Sequence, residues 1–144
     1  MRSVAEILRT KANAYIYSVA PDDTVLAAVQ LMAEKGVGAL VVMAGGRLVG
    51  IVSERDYARK VALLERSAFA AKVSEIMTAE VITVGPRNTT QECMQLMTDR
   101  HLRHLPVVAE GELIGLLSIG DLVKVTIADQ ASLIQQLEQY IRGA

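Results

Sequence analysis

Residues 21–61 and 86–126 are copies of one another at a constant offset of 65, with no gap. Thirteen of the 41 aligned pairs are identical, among them Pro21/Pro86, Thr24/Thr89, Leu40/Leu105, Gly50/Gly115, Ser53/Ser118 and Asp56/Asp121. Ahead of each copy the match resumes with a shifted offset, residues 4–7 against 73–76, so the first copy has four extra residues there. A duplication of this length implies two copies of one supersecondary unit, neither of which can bury both faces of its own sheet.

Each copy reads alike. β-branched runs at 15–19 and 81–84 predict a first strand. Thr24 and Thr89 can each cap a helix N-terminus, and Thr89-Thr90-Gln91-Glu92 is a capping box. Val25, Ala28, Val29 and Met32, and in the second copy Cys93, Met94, Leu96 and Met97, have helical spacing. The apolar runs 39–43 and 105–108 predict strands buried on both faces. Gly45-Gly46 and Glu110-Gly111 then turn the chain into a further strand, and a second helix starts after Ser53 or Ser118. The expected fold is α/β: two pseudo-symmetric β-α-β-β-α repeats packed as one module. Residues 1–66 form the first repeat, 67–128 the second, and 129–144 a C-terminal helix. Within that helix Leu133, Ile134, Leu137 and Ile141 make one apolar stripe, which packs either on its own chain or on a second copy.

Composition excludes several functions. Fifteen basic and 16 acidic residues give a formal net charge of −1, a poor match to a polyanion or an anionic membrane. Aromatic residues are 3%, too few for rows of stacked bases. The lone Cys93 cannot form an internal disulfide, which points to a reducing compartment. Glu6, Arg9 and Lys11 are out of place in a secretion leader, and no apolar run approaches the roughly 20 residues of a membrane span. A cytoplasmic protein is the expectation. Cys93 sits in an apolar helical stripe with no base paired to it, so it reads as core and not as a nucleophile. His101 and His104 have no third ligand nearby, so no metal is expected, and no catalytic constellation is evident.

The segment that closes each copy carries the chemistry. Ser53-Glu54-Arg55-Asp56 and Ser118-Ile119-Gly120-Asp121 place a hydroxyl, backbone amides and a carboxylate at a strand-to-helix junction. Such a junction attracts a phosphate, and the carboxylate suits two adjacent ribose hydroxyls. The same four residues also make a capping box, which needs no ligand. Gly120 costs about 1 kcal/mol against alanine in a helix, a cost that close approach to a ligand explains. Arg55, a cation at a helix start, fits a bound anion there, or else a pair with Glu54 or Asp56. Before the middle strand, Arg100-His101-Leu102-Arg103-His104 corresponds to Lys35-Gly36-Val37-Gly38-Ala39 in the other copy. Arg103 and His104 are expected to clamp phosphate. Arg100 and His101 fit a clamp or a favourable helix C-terminus equally well.

At these residues the chain resembles the cystathionine-β-synthase (CBS) domain family, as a stand-alone tandem pair of the kind called a Bateman module. The resemblance covers roughly residues 4–128. It implies two clefts that bind AMP, ADP, ATP, NAD(H) or S-adenosylmethionine reversibly, no covalent cofactor, pairing of modules into a homodimer, and regulation of an attached or partner protein. Carried over by position, one cleft takes Ser53, Arg55, Asp56, Ile82, Thr83, Arg103, His104, Leu105 and Pro106. The other takes Ser118, Ile119, Gly120, Asp121, Lys11, Tyr15, Ile16, Tyr17, Val37, Gly38, Ala39 and Leu40. The copies differ at Glu54-Arg55 against Ile119-Gly120, so the two clefts should differ in affinity, with the Ser118/Asp121 cleft the tighter. A non-catalytic structural or dimerisation module, whose Ser-x-x-Asp elements are only caps, is the alternative.

Overall fold

The computed structural model describes residues 2–11, 15–62, 65 and 67–143. In chain order the elements are helix α1 (Val4–Thr10), strand β1 (Ser18–Val19), α2 (Val25–Lys35), β2 (Ala39–Ala44), β3 (Arg47–Ser53), α3 (Glu54–Tyr57) with a π-helical turn (Ala58–Ala62), α4 (Val73–Ile76), α5 (Thr90–Arg100), β4 (His104–Ala109), β5 (Glu112–Ser118) and α6 (Ile119–Ile141). They gather into two compact units. A first-repeat unit comprises residues 15–83 and 110–113; a second-repeat unit comprises 1–14, 84–109 and 114–144.

In the first-repeat unit β1 pairs parallel to β2, and β2 antiparallel to β3, in a three-stranded sheet. β2 is an apolar run whose first four residues are buried, as a strand covered on both faces requires. Leu40, Val42 and Val52 pack there with Val25, Ala28 and Met32 of α2 and with Val73 and Ile76 of α4. Thr24 caps α2 by accepting from the Ala27 amide at 3.1 Å, and Gly36 ends it in the left-handed conformation.

The second-repeat unit repeats the scheme with β4 and β5 as a two-stranded sheet. Thr89 and Glu92 close the expected capping box at the start of α5. His101 takes the place of Gly36 and adopts the same left-handed backbone, φ 55°, with its amide donating to Met97 O. Of the two readings left open for His101, the structure shows the helix C-cap. Both hairpins are two-residue turns with positive φ throughout: 58° and 77° at Gly45-Gly46, 52° and 79° at Glu110-Gly111. That is the primed geometry matched to strand twist.

Three expectations need correction. The first strand of copy one is Ser18–Val19, not 15–19. The expected strand 81–84 reduces to a single parallel bridge, Val84 to Val107, with Val84 N donating to Pro106 O at 3.0 Å and Val108 N to Val84 O at 2.9 Å. The next rung would need an amide hydrogen at position 106. Proline has none, so the ladder stops there. Finally, the C-terminal helix is not a separate element: α6 runs unbroken for 23 residues from Ile119, because nothing between Leu122 and Ile141 is glycine or proline.

Helix α1 lies within residues 1–66, expected as the first repeat, yet it belongs to the second-repeat unit. Val4 N donates to Asn88 O at 2.8 Å, Ala5 N to Pro86 O at 3.0 Å, and Thr90 N to Arg2 O at 3.0 Å. Its counterpart α4 serves the first-repeat unit in the same way, with Val73 N donating to Asp23 O at 2.8 Å and Ser74 N to Pro21 O at 3.0 Å.

Candidate functional site

Both strand-to-helix junctions are closed capping boxes. Asp56 Oδ2 accepts from Ser53 N at 2.9 Å, and Asp56 N donates back to Ser53 Oγ at 3.2 Å. Asp121 Oδ2 accepts from Ser118 N at 2.8 Å, and Asp121 N donates to Ser118 Oγ at 3.1 Å. A further bond ties each helix start to the mouth of the preceding strand. Glu54 N donates to Gly38 O at 3.0 Å, and Ile119 N to Arg103 O at 2.8 Å. The expected cluster of bare amides is therefore smaller than the sequence suggests: the N-cap, first and third amides of the turn are taken. Among the described residues, only the second amide of each turn, Arg55 N and Gly120 N, is left without a partner. A Cβ added at Gly120 would meet only Ser118 Oγ, at the ordinary distance of 3.5 Å, so the described packing does not require glycine at 120.

The two junctions hold their carboxylates with lysines from unrelated positions. In the second-repeat unit Lys11, just past the end of α1, places Nζ 2.9 Å from Asp121 Oδ2 and donates to Leu116 O at 2.7 Å. In the first-repeat unit Lys60, one helical turn beyond Asp56, lies 3.4 Å from Asp56 Oδ1 and donates to Ile76 O at 2.9 Å. The position matching Lys60 is Val125. The carbonyl matching Leu116 O is Ile51 O, which accepts from the Thr78 amide at 2.9 Å. A backbone rung in one unit is thus a lysine ammonium in the other. Lys60 escaped the sequence reading, although an Asp–Lys pair at i,i+4 is a recognisable helix signal.

The hydroxyls differ too. Ser53 Oγ donates to Asp56 Oδ2 at 3.0 Å, so its hydrogen is spent inside the cap. Ser118 Oγ accepts from Asp121 N, and Lys11 takes the place beside Oδ2.

His104, at the start of β4, completes the second-repeat cluster. Burial, then the Lys11 ammonium, hold its imidazole below the ordinary 6.5; Asp121 pulls the other way and Arg103 adds to the lowering. The unfolded chain therefore takes up this proton more readily than the native one. The stability linked to the neutral ring is complete above the ordinary value and is lost as pH falls through it towards the native one. The melting temperature should fall less in His104→Gln than in the wild type between about pH 7.5 and about pH 5. Thermal melts at the two pH values check this, and equal falls would refute it.

The structure distributes the expected site residues by unit. Lys11, Arg103, His104, Leu105, Pro106, Ser118, Ile119, Gly120 and Asp121 lie in the second-repeat unit. Tyr15, Ile16, Tyr17, Val37, Gly38, Ala39, Leu40, Ser53, Arg55, Asp56, Ile82 and Thr83 lie in the first. Arg103 and His104, expected to share a cleft with Ser53, stand at the junction that Ser118 and Asp121 build. Leu105 and Leu40 are fully buried core. Tyr15 is 74% exposed and stacks obliquely on Tyr17 at 4.9 Å between centroids; the ammonium of Lys35 lies 5.5 Å over the Tyr17 ring. Cys93 is buried, and burial together with Glu92 pushes its thiol up to about 11, the setting of a core residue. No helix among the described residues is long and apolar enough to cross a membrane.

Comparison with known proteins agrees with this architecture. A protein with CBS domains from Burkholderia ambifaria is 58% identical and superposes with a TM-score of 0.86 over 89% of this chain and 96% of its own. The CBS domain-containing protein CBSX3, mitochondrial, of Arabidopsis thaliana is 45% identical over 127 residues, 85% of this chain. The chain spans 62% of that protein's length, and only 21% of an inosine-5'-monophosphate dehydrogenase from Korarchaeum cryptofilum that it matches at 43% identity. The CBS domain pair of protein MJ0100, determined with 5'-methylthioadenosine and S-adenosyl-L-methionine, shares the fold at 20% identity, with a TM-score of 0.78 over 90% of this chain and 98% of its own. The family model for the CBS domain matches twice, at residues 4–63 and 73–128, and the chain belongs to the CBS-domain family as a tandem pair.

Proposed function

We propose that this chain is a regulatory sensor of adenine nucleotides, AMP, ADP, ATP or NAD(H), that acts through a partner protein and not by catalysis. The observation that carries this reading is the second-repeat cluster. Within one unit, Lys11, His104, the Ser118 hydroxyl, the Gly120 amide and Asp121 converge on a single helix start. The cations and the amide suit phosphate oxygens. Ser118 N and Lys11 both sit on Asp121 Oδ2, and the carboxylate would accept from ribose hydroxyls through Oδ1. The first-repeat junction, with its hydroxyl turned into its own cap, is the weaker of the two. S-adenosylmethionine is a further candidate through the same ribose contact, its sulfonium standing where Lys11 would oppose it.

Calorimetric titration with AMP, ATP, NADH and S-adenosylmethionine tests the reading. AMP is expected to bind with micromolar affinity, and Asp121→Ala to abolish binding at the second-repeat site. Asp121→Ala also removes half of a capping box, worth about 1 kcal/mol. Asp121→Asn, which can still accept from Ser118 N, separates the two effects and should weaken binding at least tenfold while circular dichroism stays native. Heat-silent titrations with all four ligands would leave a structural or dimerisation module as the better account. Conversion of the nucleotide on prolonged incubation would revive an enzymatic one.

A further inference from the structure

The two repeats fasten their leading helices differently. Leu8, near the end of α1, lies against Gly115, as Met77, just past the end of α4, lies against Gly50. The likeness ends at the next residue. Thr78 makes a two-bond backbone rung with Ile51, at 3.0 Å from Ile51 N and 2.9 Å to Ile51 O. Arg9, in the matching position, is exposed, and among the described residues no rung joins it to Leu116. Two residues later Lys11 reaches back instead, donating to Leu116 O at 2.7 Å with Asp121 Oδ2 at 2.9 Å. The opposite end of α1 is held by main chain. Besides the Val4 and Ala5 amides, Arg2 O accepts from Thr90 N at 3.0 Å and from Thr90 Oγ1 at 3.2 Å, and Arg2 Nε pairs with Asp129 at 3.0 Å. A helix of 7 residues is not stable on its own, so these ties decide how long each end stays formed. Among the described residues, the polar tie between the last turn of α1 and the rest of its unit is one ammonium, and it stands at the candidate nucleotide junction.

We propose that α1 is a ligand-responsive latch: a phosphate group at the Asp121 junction tightens its last turn through Lys11, while α4 stays indifferent to occupancy of its own junction. The inference rests on the nucleotide reading of the Asp121 junction. An ammonium has three hydrogens, and two of them are committed, to Leu116 O and Asp121 Oδ2. A phosphate beside the Ser118 turn takes the third in a charge-assisted bond. The Lys11 side chain is only 22% exposed, so water screens that attraction little. Held by three oxygens and not two, Lys11 lets the turn behind it open less often. The far end of α1 gains nothing, because its main-chain bonds to Asn88, Pro86 and Thr90 owe nothing to Lys11. In the first-repeat unit Lys60 also bridges a carboxylate and a carbonyl, Asp56 Oδ1 at 3.4 Å and Ile76 O at 2.9 Å. There the rung at Thr78 holds the segment after α4 whatever Lys60 does. The responsive end of α1 is the one from which the chain runs on to the first-repeat unit, which begins at Tyr15.

Amide hydrogen exchange of the full chain, read residue by residue by NMR with and without AMP, is the test, with occupancy fixed by calorimetry on the same sample. Saturating AMP should slow exchange at residues 8–11 several-fold and leave residues 76–78 unchanged. Adenosine, which lacks the phosphate, should not slow residues 8–11 at matched occupancy. Lys11→Met should speed exchange at these amides with no ligand present and cancel the response to AMP. Lys11→Arg, which keeps the charge and the donors, should preserve the response. Lys60→Met should leave the Thr78 amide as protected as before, since its partner is Ile51 O. AMP binding with unchanged exchange in α1, equal slowing by adenosine, or ligand-free exchange in Lys11→Met no faster than in the wild type would each overturn the inference and leave the nucleotide reading standing. Heat-silent titrations would remove that reading, and this inference with it.

Discussion

Ile7→Ala is expected to weaken the second-repeat unit, not the first-repeat unit, by about 2–5 kcal/mol. Ile7 is 2% exposed and Val4 fully buried, in a helix whose backbone bonds reach Asn88 and Pro86 and whose Leu8 packs on Gly115. Removing three carbons there leaves a hollow in the second-repeat unit that β4 and α5 cannot close without moving. The matched substitution, Ile76→Ala, empties the same place in the first-repeat unit, where Ile76 is 1% exposed and packs with Leu40, Val42 and Val52. Native-state hydrogen exchange distinguishes the two. With Ile7→Ala, protection should drop at α5 and β4 and persist at β2 and β3; with Ile76→Ala the pattern should invert. If both substitutions strip protection from the same amides, the assignment of α1 to the second repeat is wrong.

That assignment shows where sequence reading stops. The helices and turns were legible because their signals are local. A threonine followed three residues later by glutamate announces a cap, as Thr89 and Glu92 do, and Gly45-Gly46 announces a primed turn. An apolar helical face, by contrast, says that a helix is covered and not by what, so nothing in residues 4–7 revealed which repeat they join. The duplication misled in proportion to its clarity. Pro106 in the place of Val41 removes one amide hydrogen and with it a strand. Ser53 and Ser118 look equivalent, yet a lysine from outside the matched positions decides whether the hydroxyl hydrogen stays within its own cap. The Ser-x-x-Asp signal proved to be a cap in both copies. What tells in favour of a ligand at the second, the Lys11 and His104 neighbours, comes from segments up to 110 residues apart in the sequence.

The glycine pair Gly50/Gly115 is identical in the two copies, and alanine should nevertheless be costly at one and nearly harmless at the other. A Cβ at Gly50 would stand 2.6 Å from Met77 Sδ and 3.1 Å from Thr78 O. The sulfur can swing aside, but Thr78 O is fixed: it accepts from Ile51 N at 3.0 Å, while Thr78 N donates to Ile51 O at 2.9 Å. Moving it opens the rung that holds the segment after α4 to β3. At Gly115 the three atoms nearest the matched intruder all belong to Leu8, at 2.7 and 2.9 Å for its two terminal methyls, and those rotate with the side chain. Among the described residues no backbone rung stands behind them, and the carbonyl matching Ile51 O accepts from Lys11 Nζ instead. Gly50→Ala is therefore expected to lose about 2–3 kcal/mol through overpacking. Gly115→Ala should lose less than about 1 kcal/mol, offset in part by the smaller backbone entropy of alanine in the unfolded chain. Urea unfolding of the two variants measures both. Equal losses would mean that the rung at Thr78 yields as easily as a leucine side chain and that the two junctions are mechanically alike.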